Sequence, residues 1–453
     1  MMASCSSDDV VATAPGAGAG AGDNGLVPVE LTVGGPTVSV QKRGHGTVGD
    51  LASDAENNVW HKEQLRLLMM ERSVADGNAW GFTQWSYIPT TPPTDEVTVT
   101  NFANVAVTAP DGTAAGALDW STESTPKYYP NTGIHDFFAY NIDDAATIYT
   151  GTDYDDETVY DPTNRLDDFM LRDSVVGGRA TMKYVWFKID GSQDLMAGIA
   201  TNDDAGTNVG FSAATARAGK TPSIQMEHLL TRFTFGVKAA AASAEGITVT
   251  GISVKSKTTG KMIVAYDLGQ GGVAPTKAQL ISFELPTNAV PNVEEPVDLV
   301  LKDRGAITDA PVKVSDLTPV VLDAYQADGP YQAIGHALMV APGEAEYEMT
   351  LTLTQEFNVP KAPGAPVEGS TTLTLPIKIP SATNAGVPDF TADETAQPGS
   401  SYAVNIKVYG MEEVKVEASL TGWNDGGSIE VDTNVGADDT TDETEDVEEP
   451  IEP

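Results

Sequence analysis

Apolar and polar residues alternate with a period of two along most of this chain, and Thr and Val carry much of the alternation. Leu26-Val27-Pro28-Val29-Glu30-Leu31-Thr32-Val33 alternates in its second half. Gly34-Gly35-Pro36 breaks the pattern, and Thr37-Val38-Ser39-Val40-Gln41 resumes it. It returns at Val97 to Thr100, Val105 to Thr108, Ile247 to Thr250, Ile252 to Lys255, Tyr347 to Thr354, Thr371 to Leu375, Tyr402 to Val408 and Val414 to Leu420. Successive side chains of a strand point to opposite faces, so the pattern predicts half-buried strands, one face to the core and one to water. Gly, Pro, Asn and Asp fill the intervals, as turns require. Many short strands at loop-length intervals predict an all-β chain of antiparallel β-sandwiches.

Helix signals are sparse. Glu63 to Arg72 contains helix formers, but its run Leu65-Arg66-Leu67-Leu68-Met69-Met70 reads equally as a buried strand. Thr318 to Tyr325 predicts a short helical turn, with Pro319 suited to the first turn. Ala239 to Glu245 is Ala-rich but short and reads as a connection. A chain of 453 residues suits two domains. We place their boundary at this connection, giving an N-terminal sandwich over 26–240 and a C-terminal sandwich over 241–436. Residues 1–25 read as a lipoprotein-type N-terminus followed by a flexible tether, Val10 to Gly25, which is Ala/Gly-rich. Ala437 to Pro453 holds nine acidic residues and no basic one, the composition of a disordered acidic tail.

The net charge is −39, from 65 acidic and 26 basic residues. A nucleic-acid or anionic-surface binder needs a basic face, so neither is expected as a partner. No apolar run reaches the roughly 18 residues of a membrane-crossing helix. The one cysteine, Cys5, cannot form an intramolecular disulfide. Its context, Ala3-Ser4-Cys5-Ser6-Ser7, looks like a bacterial lipobox, in which the thiol takes a diacylglycerol. The competing reading is a free thiol in a ragged terminus. Lipidation at Cys5 would place the chain at a membrane through lipid alone.

No catalytic constellation is legible. Five histidines (His45, His61, His135, His228, His336) include no pair at the i, i+4 spacing that sets two imidazoles on one helix face. No phosphate-binding loop or nucleophile elbow occurs, so the chain is not expected to be an enzyme and no cofactor is expected. Asp153-Tyr154-Asp155-Asp156-Glu157 and Asn202-Asp203-Asp204 have calcium-type oxygens, but a solvated acidic loop explains them better. His228, among Met226, Leu229 and Leu230, reads as a satisfied half-buried histidine. The six tryptophans (60, 80, 85, 120, 186, 423) read as core or wedge residues before sugar-stacking platforms.

Five segments in order resemble one family. Tyr128-Tyr129-Pro130 followed by Ile134-His135-Asp136-Phe137-Phe138-Ala139-Tyr140-Asn141 is the first, and Asp194-Leu195-Met196-Ala197-Gly198 the second. Then come Ile224 to Phe235 read as one strand, Ala337-Leu338-Met339-Val340-Ala341-Pro342, and Pro398-Gly399-Ser400-Ser401-Tyr402 through Trp423-Asn424-Asp425-Gly426. Together they resemble the Bacteroidales fimbrillins, subunits of type V pili. That resemblance implies two tandem transthyretin-like β-sandwiches, export as an outer-membrane lipoprotein, and assembly into a cell-surface fimbrium that supports adhesion. It also implies strand exchange. A trypsin-like or Arg-specific protease cuts past the first strand, the strand leaves, and a strand of a neighbouring subunit fills the vacated groove. Here the exchanged strand would carry Leu26, Val27, Val29, Leu31 and Val33, and cleavage would follow Arg43 in the Gly-flanked pair Lys42-Arg43. The acidic tail makes a poor donor strand. The donor would then be Ser428 to Asp432 or lie upstream, leaving stalk, tip and anchor roles open. Partners would be other fimbrial subunits, the protease and a surface receptor. The alternative is a surface glycan-binding lipoprotein of a polysaccharide uptake system.

Overall fold

The computed structural model describes residues 29, 31–34, 60–73, 80–87, 98–101, 105–113, 115–119, 128–130, 132–143, 146–147, 171–176, 179–201, 210–269, 273–285, 295–304, 314–357, 367–379, 395–411, 414–421 and 428–431. These residues are nearly all β, arranged in mostly antiparallel, face-packed sheets.

The first half is built on strands β1 (Thr32–Gly34), β2 (Gln64–Glu71), β3 (Val105–Thr108), β4 (Ala115–Ala117), β5 (His135–Asn141), β6 (Arg179–Lys188), β7 (Met196–Thr201) and β8 (Ser223–His228). One sheet runs β2-β5-β7-β8-β1-β4, with Gly81–Phe82 beyond β2 and β3 also paired to β2. Glu63 to Arg72 is thus a strand rather than a helix. Both faces of this sheet are covered. Leu65, Leu67, Met69, Phe137, Met196 and Ile224 enter one core, and Leu68, Met70, Phe138, Tyr140 and Ala197 enter another. Two-sided burial removes alternation, which is why every residue of His-Asp-Phe-Phe-Ala-Tyr-Asn in β5 is buried.

The second half contributes β9 (Thr231–Ala239), β10 (Thr248–Ser256), β11 (Thr259–Tyr266), β12 (Ile281–Ser282), β13 (Val297–Val300), β14 (Gln332–Val340), β15 (Glu346–Phe357), β16 (Val367–Lys378), β17 (Ser401–Val408), β18 (Val414–Thr421) and β19 (Ser428–Val431). Sheets β14-β9-β17-β18-β19 and β13-β10-β15-β16 face each other. Phe233, Phe235, Tyr402, Val404 and Ile406 on one side meet Val249, Ile252, Met349, Leu351 and Leu353 on the other. The apolar segments Ile247 to Thr250 and Ile252 to Lys255 form one strand, β10. Its pairing to β15 shifts between Val249 and Gly251, so Thr250 is extra and both Val249 and Ile252 face inward. Thr318 to Tyr325 is not helical. Val320–Val321 pairs with Thr248 and Val249, and two adjacent β-branched side chains suit that extended backbone. The 3₁₀ turn Ala242–Ala244 connects β9 to β10.

Strand pairing crosses position 240 in both directions. Ile224 to Phe235, expected as one strand, is two: β8 closes against β7 and β1, and β9, beyond Leu229-Leu230, pairs with β14 and β17. Conversely β11 pairs with β6, completing the sheet that packs Val185, Phe187, Met262 and Val264 on the first-half sheet.

Candidate strand-exchange groove

β1 sits inside a sheet, not at its edge. Thr32, Val33 and Gly34 lie parallel to Ser223, Ile224 and Gln225 of β8, and antiparallel to Ala117, Gly116 and Ala115 of β4. Just upstream, the Leu118 amide donates to the Leu31 carbonyl oxygen at 3.0 Å. Val29 and Leu31, two residues apart, are 2% and 4% exposed. Both join the core of Leu118, Val107, Phe137, Ile224 and Met226. Each such side chain contributes about 1.5–3 kcal/mol by leaving water.

Topology decides whether such a strand can leave. A parallel pair needs a long crossover, so no hairpin ties β1 to β8. β1 is the first strand described in the chain. β9 shows the contrast. It too lies between a parallel neighbour, β17, and an antiparallel one, β14, but it spans nine residues against three. The two strands hold equivalent positions, and only β1 is short.

The groove walls are fixed independently of β1. His135 and Phe211 exchange backbone hydrogen bonds at 2.8 and 2.7 Å. Phe211 leads into α1 (Ala213–Arg217), capped by Ser212 and Thr215 and burying Ala213 in the same core. On the opposite face of β5, away from the groove, Arg72 donates to both carboxylate oxygens of fully buried Asp136 at 2.7 Å. The His135 Nε2 lies 3.2 Å from the Thr132 carbonyl oxygen, which can only accept, so Nε2 carries the proton. Nδ1 then accepts from the Thr83 hydroxyl at 2.9 Å. Burial lowers the His135 pKa from its ordinary 6.5. Sequence reasoning missed these pairs because nothing in spacing links residues 64 positions apart; the buried Asp inside an aromatic run was the one visible signal.

Of the expected site residues, Val29 and Leu31 are in the groove and Val33 is in its ladder. Cys5, Leu26, Val27 and Arg43 lie outside the described residues, as do the two acidic clusters beginning at Asp153 and Asn202. Ser428–Val431 is folded as β19 against β18 at the end of its sheet. His228 is fully buried rather than half-buried, its Nδ1 2.8 Å from an Asp194 carboxylate oxygen. Trp60, Trp80 and Trp186 are buried, and no ring face is offered by any of the three.

No family model matches the chain, and no curated protein matches it. Among solved structures it is similar to a candidate cell adhesion protein from Bacteroides uniformis, with 15% identity over 88% of this chain and 100% of that one, at a TM-score of 0.39. It is similar to the fimbrial anchor protein Mfa2 from Porphyromonas gingivalis, with 12% identity over 89% and 99% and a TM-score of 0.28. It is also similar to a candidate polysaccharide-binding protein from Bacteroides thetaiotaomicron, with 10% identity over 87% and 96% and a TM-score of 0.33. At such scores these likenesses decide nothing, and the functional reading rests on the groove.

Proposed function

We propose that this chain is a structural subunit of a cell-surface fimbrium, assembled by strand exchange. The observation that carries the reading is β1, a short strand at the start of the described fold that lies between β8 and β4 with Val29 and Leu31 in the core. Its departure would expose an apolar slot with unpaired backbone on two sides. Refilling the slot restores burial and hydrogen bonds together, which is the physics of strand addition. Cleavage after Arg43 would free β1 from the chain that follows. Lipidation at Cys5 would hold the unprocessed chain on the outer membrane. The donor is a strand of another subunit, with β19 as the candidate on this chain, since an edge strand has one neighbour to leave. No active site or cofactor enters this scheme.

Limited digestion of the full chain with trypsin tests it. Expected are a new N-terminus at Gly44 and SDS-resistant oligomers on a gel. A fully cut product that remains monomeric would sink the proposal.

A further inference from the structure

β16 is the last strand of its sheet, paired to β15 on one side and, among the described residues, to no strand on the other. It spans twelve residues and meets β15 along all of them with no shift of register. A long, regular edge is a ready template for another chain, and proteins ordinarily blunt such edges by shortness, bulges or charge. Other sheet ends in this half are blunted. β13 and β19 have four residues each, and the pairing of β14 shifts between Thr234 and Phe235. By contrast, residues 369–377 of β16 include no charged one, in a chain of net charge −39.

The phase of the ladder fixes which backbone groups are open. Just past β16 the Ile379 amide donates to the Ala345 carbonyl oxygen at 2.9 Å. Opposed residues of an antiparallel pair exchange hydrogen bonds at every second position. By that alternation Ile377, Leu375, Leu373, Thr371 and Gly369 bond to β15, while Glu368, Ser370, Thr372 and Thr374 turn N–H and C=O to the open side. Pro376 falls on an outward position, where its missing N–H takes nothing from β15, and it ends the open run. The side chains of Ser370, Thr372 and Thr374 are exposed, and Leu373 is half-buried against the sandwich core.

We propose that this edge binds a second copy of the chain, β16 against β16, antiparallel about a two-fold axis at Thr371. The open run, 368–374, is symmetric about that residue. In this register Glu368 stands opposite Thr374 of the second copy and Ser370 opposite its Thr372, so each open N–H meets an open C=O. Thr371 meets its own counterpart. Leu373 lies opposite Gly369, which has no side chain to obstruct it. Backbone bonds and cross-strand Thr pairs supply the attraction. Self-match and charge together favour a copy of this chain. Molecules this acidic repel one another over most of their surfaces, and here a neutral strand meets its own neutral sequence with no carboxylates opposed. The inference is independent of strand exchange at β1: this dimer forms in the uncut chain and comes apart in SDS.

Sedimentation equilibrium of the uncut full chain tests it. The mass is expected to double with a Kd of about 10–100 μM, the range of a small interface. Raising NaCl from about 0.05 M to about 0.5 M should tighten the dimer, because salt screens like charges. Thr372→Pro removes an outward N–H and no bond to β15. It should weaken the dimer at least about tenfold while melting within about 2 °C of the parent. Hydrogen exchange on the parent needs no variant. The amides of Ser370, Thr372 and Thr374 should slow as concentration rises, and those of Thr371 and Leu373, already bonded to β15, should change far less. A chain still monomeric at about 500 μM in both salts overturns the proposal. So does a folded Thr372→Pro variant that dimerises as tightly as the parent, or a dimer that leaves the three outward amides unprotected. A monomeric chain whose outward amides are protected only by a synthetic peptide of residues 367–375 also overturns it, since the edge then takes a free strand and not a second copy.

Discussion

Asp136 has no exposure at all, and Arg72 meets both of its oxygens. Truncating the arginine removes two charge-assisted hydrogen bonds from a buried carboxylate. Arg72→Met is therefore expected to cost about 3–5 kcal/mol in denaturant unfolding, while replacing both partners by apolar residues should cost far less. His135 gives a pH signature. Its folded pKa lies below 6.5, so the unfolded chain takes up the proton first. Its contribution is complete above pH 6.5 and declines as the pH falls below that value. A melting series from about pH 8 to pH 5 should show this decline, and His135→Asn should flatten it. The sequence shows these residues but not their partners. Thr83 meets His135 and Arg72 meets Asp136 because β2 and β5 are neighbours, and the antiparallel register His135 to Glu71 is a tertiary fact.

Elements were legible where one face of a strand meets solvent. β8 and β17 alternate as their sequences do, buried positions falling every second residue. The alternation failed as a guide in β5, which is buried throughout, and at Leu229-Leu230, where an unbroken apolar stretch hides the passage from one sheet to another. The helix expected at Thr318 to Tyr325 gave way to pairing with β10. Two predictions belong at this scale. Gly198 of β7 lies so close to β8 that a Cβ would fall 2.2 Å from the Gln225 carbonyl oxygen. Gly198→Ala should destabilise the chain by about 1–3 kcal/mol, read from urea unfolding. Leu31→Ala should cost the unprocessed chain about 2–5 kcal/mol, since the residue is 4% exposed in a packed core. If β1 is replaced on assembly, the same substitution leaves the heat resistance of the cut, assembled fibre unchanged. A fibre weakened equally would mean that β1 stays in place.

For the whole molecule, the all-β class and the ordering of strands were readable from period and turn residues, whereas the passage between halves was not. β9 carries the sequence of a strand that could close either half, and only its pairing with β14 and β17 assigns it to the later sheets. β11 returns to the first half for the same reason: its partner, β6, lies far upstream in the chain. This interleaving makes the two halves share the core that joins Val185 and Met262 to Ala337 and Met339. Against that shared interior β1 is only three residues long, yet it lies between two strands of its sheet, a combination that suits strand exchange. Hydrogen–deuterium exchange after cleavage past Arg43 tests it most directly. Held too dilute to assemble, the cut chain should lose protection at 115–117 and 223–225, the backbone on either side of β1, and regain it once oligomers form. Protection unchanged at both segments, in a cut chain that never assembles on concentration, would contradict the account.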